Sequence, residues 1–554
     1  MKVIAESAFN HNGSLSYLKE LALSAKNQKT DYFTIQVMHV PSFCVSNYSK
    51  YKIYEENSLK FEEWIEFFNY SHKINLSIIP CVLDIPSLEL CYDNGFRFFK
   101  IHATDITNIS LINRISELDG IKLILETQCA TNIEIDFALG KLQNCVVCLM
   151  HGFSNYPTEI EDLNLNTLDY FKTYYPEYKI GFADHSLDID KIPLMALSKG
   201  CSYFEKHITL TRNNRNFDYQ VSLYPHEFGA MISILKQYKK ALGVTMKHPV
   251  SSEKKYRSIM YKKIIGNDFK RSDSGTDYMT HIIESFDIKK VGVALIARLK
   301  SKRLPQKVLK PFHDTILIDF LYKRLVNNSK YLNSVYLATS FLPDDKYLAE
   351  IGKNNNFKVY LGHPISVIDR MLGLALQEQL GAIFRVTGDN PFTDVELIDE
   401  MIQLMWENKL DYVRSNNAPF GVSAELFSVK YLWDLYLNME NPMQSEYLTQ
   451  FVLEDESAKK GCIDIESELK NIEYINLSID FQEDLDRAYS LINQFNGQDI
   501  YKLSLKDIVK KIDTLERESK AKVIKLADGE EVSFSVFLEK LKNQSYIIRK
   551  KLKL

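Results

Sequence analysis

The sequence lacks a dominant charge, a long apolar run and any closely paired cysteines. Its 68 Lys and Arg against 72 Asp and Glu leave a net charge of −4, which removes the electrostatic case for a nucleic-acid or anionic-membrane partner. No stretch approaches the roughly 20 apolar residues that span a bilayer. The opening MKVIAESAFNHNG has no apolar segment ahead of a cleavage site. A cytoplasmic protein without a membrane span is therefore expected. The eight cysteines are scattered, mostly in or beside apolar runs, with no CxxC pair. That pattern favours reduced, buried thiols over disulfides or a zinc cluster.

What the sequence does have is core-forming material. Apolar residues make up 45% of 554 positions, ample for two large domains or several small ones. From the start the chain repeats one unit, a short β-branched or aromatic run followed by an amphipathic stretch of helical length. The runs are KVIAESAF, YFTIQVM, LSIIPCV, FFKIHAT, KLILET, CVVCLMHG, KIGFADH and SYFEKHIT. Eight such units predict an α/β fold of the (β/α)8 TIM barrel type over residues 1–244.

In that fold reactive groups sit at the carboxyl ends of the strands. Here Glu6, Gln36, Lys100, His102, Glu126, His151, His185 and His207 gather at those ends. A histidine beside an apolar run is ordinarily structural. Two that close consecutive strands, His185 and His207, are candidate ligands converging on one pocket.

Residues 245–288 are polar, Lys-rich and weakly periodic, and read as a linker. A second α/β series follows over 289–500, with runs KVGVALIAR, SVYLATS, KVYLG, GAIFRVTGD and DYVRSN, the pattern of a doubly wound, nucleotide-binding sheet. Residues 501–554 read as a helical extension whose end, FLEKLKNQSYIIRKKLKL, is expected to be a basic amphipathic helix on a solvated or oligomer-contact face; a homo-oligomer is expected.

The motifs AESAFNHNG, FTIQ, SNYPTEIEDLNL, GFADHS, FEKHITL and NFDYQVSLYP, in this order, resemble the sialic acid synthase family. Its members join phosphoenolpyruvate to an amino-sugar aldehyde to give a 2-keto-3-deoxy acid and phosphate. The resemblance implies that His185 and His207 hold a divalent metal, Mn2+ or Mg2+. It also implies that Glu6 and Lys100 are catalytic, and that Gln36, Ser154, Tyr156 and Asp218 contact substrate.

The sequence departs from the family at the anion-binding positions, where Thr34 stands for a lysine, Cys81 for a threonine, and Ala103, Glu126 and Ala183 for serines. Only Lys100 and Ser154 remain. One like-charge contact at 4 Å costs on the order of 4 kcal/mol at an effective dielectric of about 20, so weak phosphoenolpyruvate binding is expected unless Lys206 or His102 substitutes. Two further readings of the barrel follow: a metal-assisted carbonyl reaction independent of phosphoenolpyruvate, and a non-catalytic sugar-binding module.

In the second series, IARLKSKRLPQKVLKP, VTGDNP, LSIDFQEDL, GHPISVIDR and NPMQSEYLTQF resemble the cytidylyltransferases that activate acidic sugars, more closely their spore-coat polysaccharide branch. The resemblance implies that Arg298 and Lys307 are catalytic and that Ser301, Arg303, Thr387 and Gly388 bind nucleotide. Asp389 and Asp480 would hold Mg2+, and CTP would be the substrate.

Overall fold

Eight strands of the amino-terminal half obey a two-residue alternation that assigns every side chain to one of two environments. They are β1 (Lys2–Glu6), β2 (Tyr32–Val37), β3 (Ile78–Val82), β4 (Phe98–Ile101), β5 (Lys122–Glu126), β6 (Val146–Gly152), β7 (Lys179–Asp184) and β8 (Tyr203–His207). They pair in chain order and β8 closes on β1 in parallel, forming a barrel. The computed structural model describes residues 1–554 except 143–144, 214–216, 244, 302, 327, 470–471, 496, 513–522 and 526–530. The chain divides into two compact units, Met1–Gly243 and Val244–Leu554.

Outward-facing residues such as Val3, Ala5, Phe33, Ile35 and Val37 pack against the surrounding helices. The first of these helices, Leu15–Asn27, buries Leu18, Leu21, Ala22 and Ala25, the spacing of one helical face, and the Ser14 hydroxyl accepts from the Tyr17 amide at its start. Inward-facing residues form layers. Tyr32, Phe98 and Tyr203, with ring centroids 5.7 to 6.4 Å apart, plug the amino end. Ile4, Ile79, Ile124, Cys148, Met150 and Ala183 fill the middle. Glu6, Thr34, Cys81, Lys100, Glu126 and Glu205 form a buried layer above them.

The second unit opens with elements where a linker was expected. A helix, Ser251–Met260, precedes an antiparallel hairpin of β9 (Lys263–Ile265) and β10 (Asp268–Lys270) and a helix, Tyr278–Glu284, capped by Asp277. His248 Nε2 bonds the Met439 carbonyl at 3.0 Å, and Trp433 Nε1 donates to Thr280 Oγ1 at 3.2 Å. Short elements held by such single contacts leave little periodic signal, which is why the segment reads as a linker.

The main sheet contains β11 (Val291–Ile296), then, after the hairpin β12 (Pro311–Phe312) and β13 (Thr315–Ile316), β14 (Ser334–Ser340), β15 (Lys358–Gly362), β16 (Ala382–Thr387), β17 (Tyr412–Asn416), β18 (Glu425–Ser428) and β19 (Lys460–Glu466). Past the small pair β20 (Val523–Lys525) and β21 (Glu531–Ser533), the sheet ends with β22 (Ile548–Lys553). Its order is β15-β14-β11-β16-β18-β17-β19-β22, with β18 antiparallel to its neighbours. Separate apolar clusters cover its two faces. The strand order reverses at β11, so the loops after β11 and β16 flank the crevice where open α/β sheets bind ligands.

The chain's end differs from the expected helix. Within the expected extension Leu505–Lys511 and Phe534–Lys542 are helices, but Ile548–Lys553 is a strand parallel to β19. IRKKLK alternates, and its lysines and arginine suit a sheet edge. Arg549 pairs with Asp464, and Lys551 with Glu466.

Candidate active sites in the two units

In the barrel, Lys100 is the centre of a closed cluster. Its ammonium lies 3.2 Å from Glu6 Oε1, 3.0 Å from Glu126 Oε1 and 2.8 Å from Glu205 Oε1, with the lysine side chain fully buried. Gln36 Nε2 donates to Glu6 at 3.1 Å, and Thr34 Oγ1 donates to Glu205 at 3.4 Å. Burial opposes the Lys100 charge, yet the three carboxylates raise its pKa well above normal. Burial also opposes ionisation of Glu6, but Lys100, His207 and hydrogen bonds hold it below the usual carboxylate range. Glu205 goes the other way: burial and then Glu6 raise its pKa well above that range. The layer therefore has no spare positive charge for an anion. Sequence reasoning quoted Glu205 within FEKHITL without assigning it. The signal was its parity with His207, two residues along the same strand.

Above this layer His185 and His207 come together, with ring centroids 5.2 Å apart. His185 Nδ1 donates to the Phe153 carbonyl at 2.7 Å, which leaves Nε2 as the lone-pair nitrogen. His207 Nε2 is 3.7 Å from Glu6, its Nδ1 is 3.8 Å from Asp218, and that Nδ1 is buried without a hydrogen-bond partner among the described residues. Burial lowers both imidazole pKa values, His207 to about 3. Neutral imidazoles, an orphaned ring nitrogen and two nearby carboxylates fit a divalent cation. The Tyr156 ring lies tilted against His185 with centroids 4.5 Å apart, and burial followed by Glu6 raises Asp218 to about 6. Ser154 is exposed on the loop after β6.

A second grouping of carboxylate oxygens, from Glu6, Glu126 and Glu205, lies within 4.8 Å, but the Lys100 ammonium already supplies its cation.

Two expectations fail here for one reason. His151 does not face the pocket: it follows inward Met150, so it points outward, where its ring packs on Phe171 and Phe182 and its Nε2 meets the Leu163 carbonyl. Lys206 likewise alternates with Glu205 and His207, and is buried in an ion pair with Asp184. It is not free to replace the missing anion-binding lysine. His102 Nε2 stands 3.9 Å from Glu126, a position that answers the new carboxylate.

In the second unit Lys307 bridges the two expected metal carboxylates. Its ammonium donates to Asp389 at 2.5 Å, to Asp480 at 3.3 Å and to the Ile479 carbonyl at 3.0 Å. Arg303 pairs with Asp480 at 2.9 Å and lies over the Phe481 ring. Arg298 donates to the Pro364 carbonyl. The loop carrying these groups is tethered by Asp345, which accepts from the Leu299 amide at 2.7 Å; its role was not read from the sequence. The Ser301 amide closes a turn onto the Leu299 carbonyl within that loop. Thr387 Oγ1 accepts from Asn390 at 2.8 Å. A Cβ on Gly388 would meet Ala297 Cβ at 3.0 Å, so the glycine lets this loop pack closely on the residue that follows β11. Two carboxylates beside a basic loop are the oxygen donors a magnesium–triphosphate complex needs.

Comparison with known proteins matches residues 17–247 to the NeuB family and residues 293–508 to the cytidylyltransferase family. An uncharacterized protein of Methanocaldococcus jannaschii is 31% identical over 212 residues, 37% of this chain and 86% of its own length. N,N'-diacetyllegionaminic acid synthase of Campylobacter jejuni is 29% identical over 294 residues, 49% of this chain and 86% of its own. A crystal structure of N-acetylneuraminic acid synthetase from Leptospira borgpetersenii, in complex with citrate, is 27% identical and covers 46% of this chain and 89% of that one, with a TM-score of 0.44. Through its barrel the chain belongs to the NeuB family, and through its second unit to the cytidylyltransferase family.

Proposed function

We propose that the chain is a bifunctional enzyme of acidic-sugar biosynthesis, in which the second unit couples a 2-keto acid sugar to CMP from CTP and the barrel makes or modifies that sugar. The observation that carries this reading is Lys307 held between Asp389 and Asp480 beside Arg298 and Arg303. These groups can neutralise a triphosphate and its departing pyrophosphate. Mg2+, held by Asp389 and Asp480, would supply charge stabilisation on the phosphate oxygens. Lys307 would then release the carboxylates and turn to the nucleotide. Relatives named as legionaminic and pseudaminic acid synthases support a nine-carbon acid as the shared chemistry.

In the barrel, His185 and His207 with Glu6 would hold Mn2+ or Mg2+, whose chemistry is to polarise a sugar carbonyl. Gln36, Tyr156 and Asp218 line the same pocket and would orient the sugar's hydroxyl and amide groups, with Ser154 at its rim. Condensation with phosphoenolpyruvate is one reading of the barrel. The fully compensated charge of Lys100 favours a second, a carbonyl reaction that takes no phosphoenolpyruvate. Assay of the purified chain with an amino-sugar aldehyde, phosphoenolpyruvate and Mn2+ separates them, because only condensation releases phosphate. Pyrophosphate release from CTP with a panel of 2-keto acid sugars tests the second unit; none from any acid would remove its assignment.

A further inference from the structure

Across the second unit's sheet, a row of charged residues lies beside the nucleotide loops and belongs to none of the groups described above. Arg385 on β16 is the register partner of Glu425 on β18, and Arg414 on β17 is the partner of Cys462 on β19. Val413 pairs with Leu426, so Arg414 falls next to Glu425 from the other side. Glu425 is saturated. It accepts from Arg385 at 2.6 Å, from the Tyr412 phenol and from Thr449 Oγ1 at 2.7 Å. Burial opposes its ionisation, but Arg385 and these hydroxyls hold its pKa below normal. Two guanidiniums thus share one carboxylate, leaving one positive charge in the row.

The donors are not saturated. Arg385 Nε and Arg414 Nη1 are buried without a hydrogen-bond partner among the described residues, while the Asn416 amide turns to the Tyr546 phenol. Folded proteins rarely leave two buried donors unpaired side by side. Thr387 and Asn416 end parallel strands at the same carboxyl edge of the sheet, and Asp389 lies two residues beyond Thr387. The unpaired donors therefore lie near the edge where the nucleotide is handled, with a net charge that suits a single carboxylate.

The part of the chain that packs against this row lies outside both matched families. Tyr546, between the last helix and β22, rests its phenol against Arg414 and Asn416 and donates to the Leu541 carbonyl at 3.3 Å. The cytidylyltransferase match ends at residue 508. The terminal strand holds Tyr546 in place by pairing with β19 from Gly461 to Glu466.

We propose that Arg385, Arg414 and Asn416 form the subsite for the carboxylate of the acid-sugar acceptor, with Tyr546 of the carboxyl-terminal segment as the positioning residue for Arg414 and Asn416. This rests on the CMP-transfer reading of the second unit. It gives the terminal strand a role: it closes the subsite from the sheet's far edge and sets the choice of acid over neutral sugar.

The test uses the full-length chain, CTP, Mg2+ and a panel of 2-keto-3-deoxy acid sugars that includes N-acetylneuraminate, each paired with its methyl ester. For the best acid, Arg414→Met should raise the KM for the acid about tenfold or more while the KM for CTP stays within about twofold. Tyr546→Phe should raise the acid's KM by about threefold to tenfold with kcat nearly unchanged. Arg414→Lys should recover part of the loss, and the wild-type chain should discriminate against the ester. Melting curves identify a variant that fails to fold, in which case Tyr546→Phe, which keeps the ring, decides. If wild type turns over an acid but uses its ester equally well, or both variants keep the acid's KM, the subsite is wrong and the CMP-transfer reading stands. If no acid in the panel yields pyrophosphate, the CMP-transfer reading falls and takes the subsite with it.

Discussion

Both units place a lysine among carboxylates, and the two lysines are held differently. Lys100 is fully buried between three glutamates, and its neighbours Gln36 and Thr34 hydrogen-bond two of them, Glu6 and Glu205. Lys307 is 15% exposed, and Asp389 and Asp480 are 21% and 9% exposed. A sealed ion cluster resists rearrangement because every partner left behind is a desolvated charge. A partly exposed bridge can open toward an incoming metal and triphosphate at little cost. The comparison separates a lysine that organises the fold of its pocket from one positioned to exchange partners.

The largest effect should come from Lys100→Met, which strands the carboxylates of the barrel and should lower its stability by about 3 to 5 kcal/mol. Calorimetric melting should show the loss, whereas Lys307→Met should leave melting within about 1 kcal/mol and abolish pyrophosphate release. Next in size is an acid response from His11, which is buried against Trp64 and has its pKa pushed down by burial to about 4. Its stabilising contribution is present above the ordinary value near 6.5 and is lost as pH falls toward 4, amounting to at most about 3 kcal/mol. Denaturation at pH 7 and pH 4.5 should show that slope reduced in His11→Gln, apart from any change in the Lys100 cluster. Asp389→Asn and Asp480→Asn should each cut pyrophosphate release at least about a hundredfold with melting unchanged, since an amide is a poorer ligand for a hard cation. The smallest effect on the fold should come from replacing His185 and His207 together with alanine. Metal analysis after incubation with Mn2+ should find about one ion per chain in wild type and none at this site in the variant.

The order of eight apolar runs made the barrel legible, because alternation and helical spacing are written in consecutive residues. The same alternation, applied residue by residue, would have turned His151 and Lys206 outward and brought Glu205 inward. Reading polar residues only by their nearness to a strand end hid that parity. Beside the ligand approach expected of Gly388, its close packing on Ala297, just past the end of β11, is a contact no local pattern records. The Lys100 cluster joins β1, β4, β5 and β8, so its closure depends on register around the whole barrel. The terminal strand was hidden by its lysines, which in IRKKLK suggest a solvated helix until β19 supplies an edge for them.

The central claim is that the barrel's own carboxylates have taken the charge that would bind phosphoenolpyruvate. Calorimetric titration of the full-length chain with phosphoenolpyruvate at saturating Mn2+ tests it most directly. The account predicts no binding tighter than about 1 mM, a shortfall of two or more powers of ten from the loss of two charge-assisted hydrogen bonds at roughly 1.5 to 3 kcal/mol each. Micromolar binding would contradict it, and would restore condensation as the barrel's reaction.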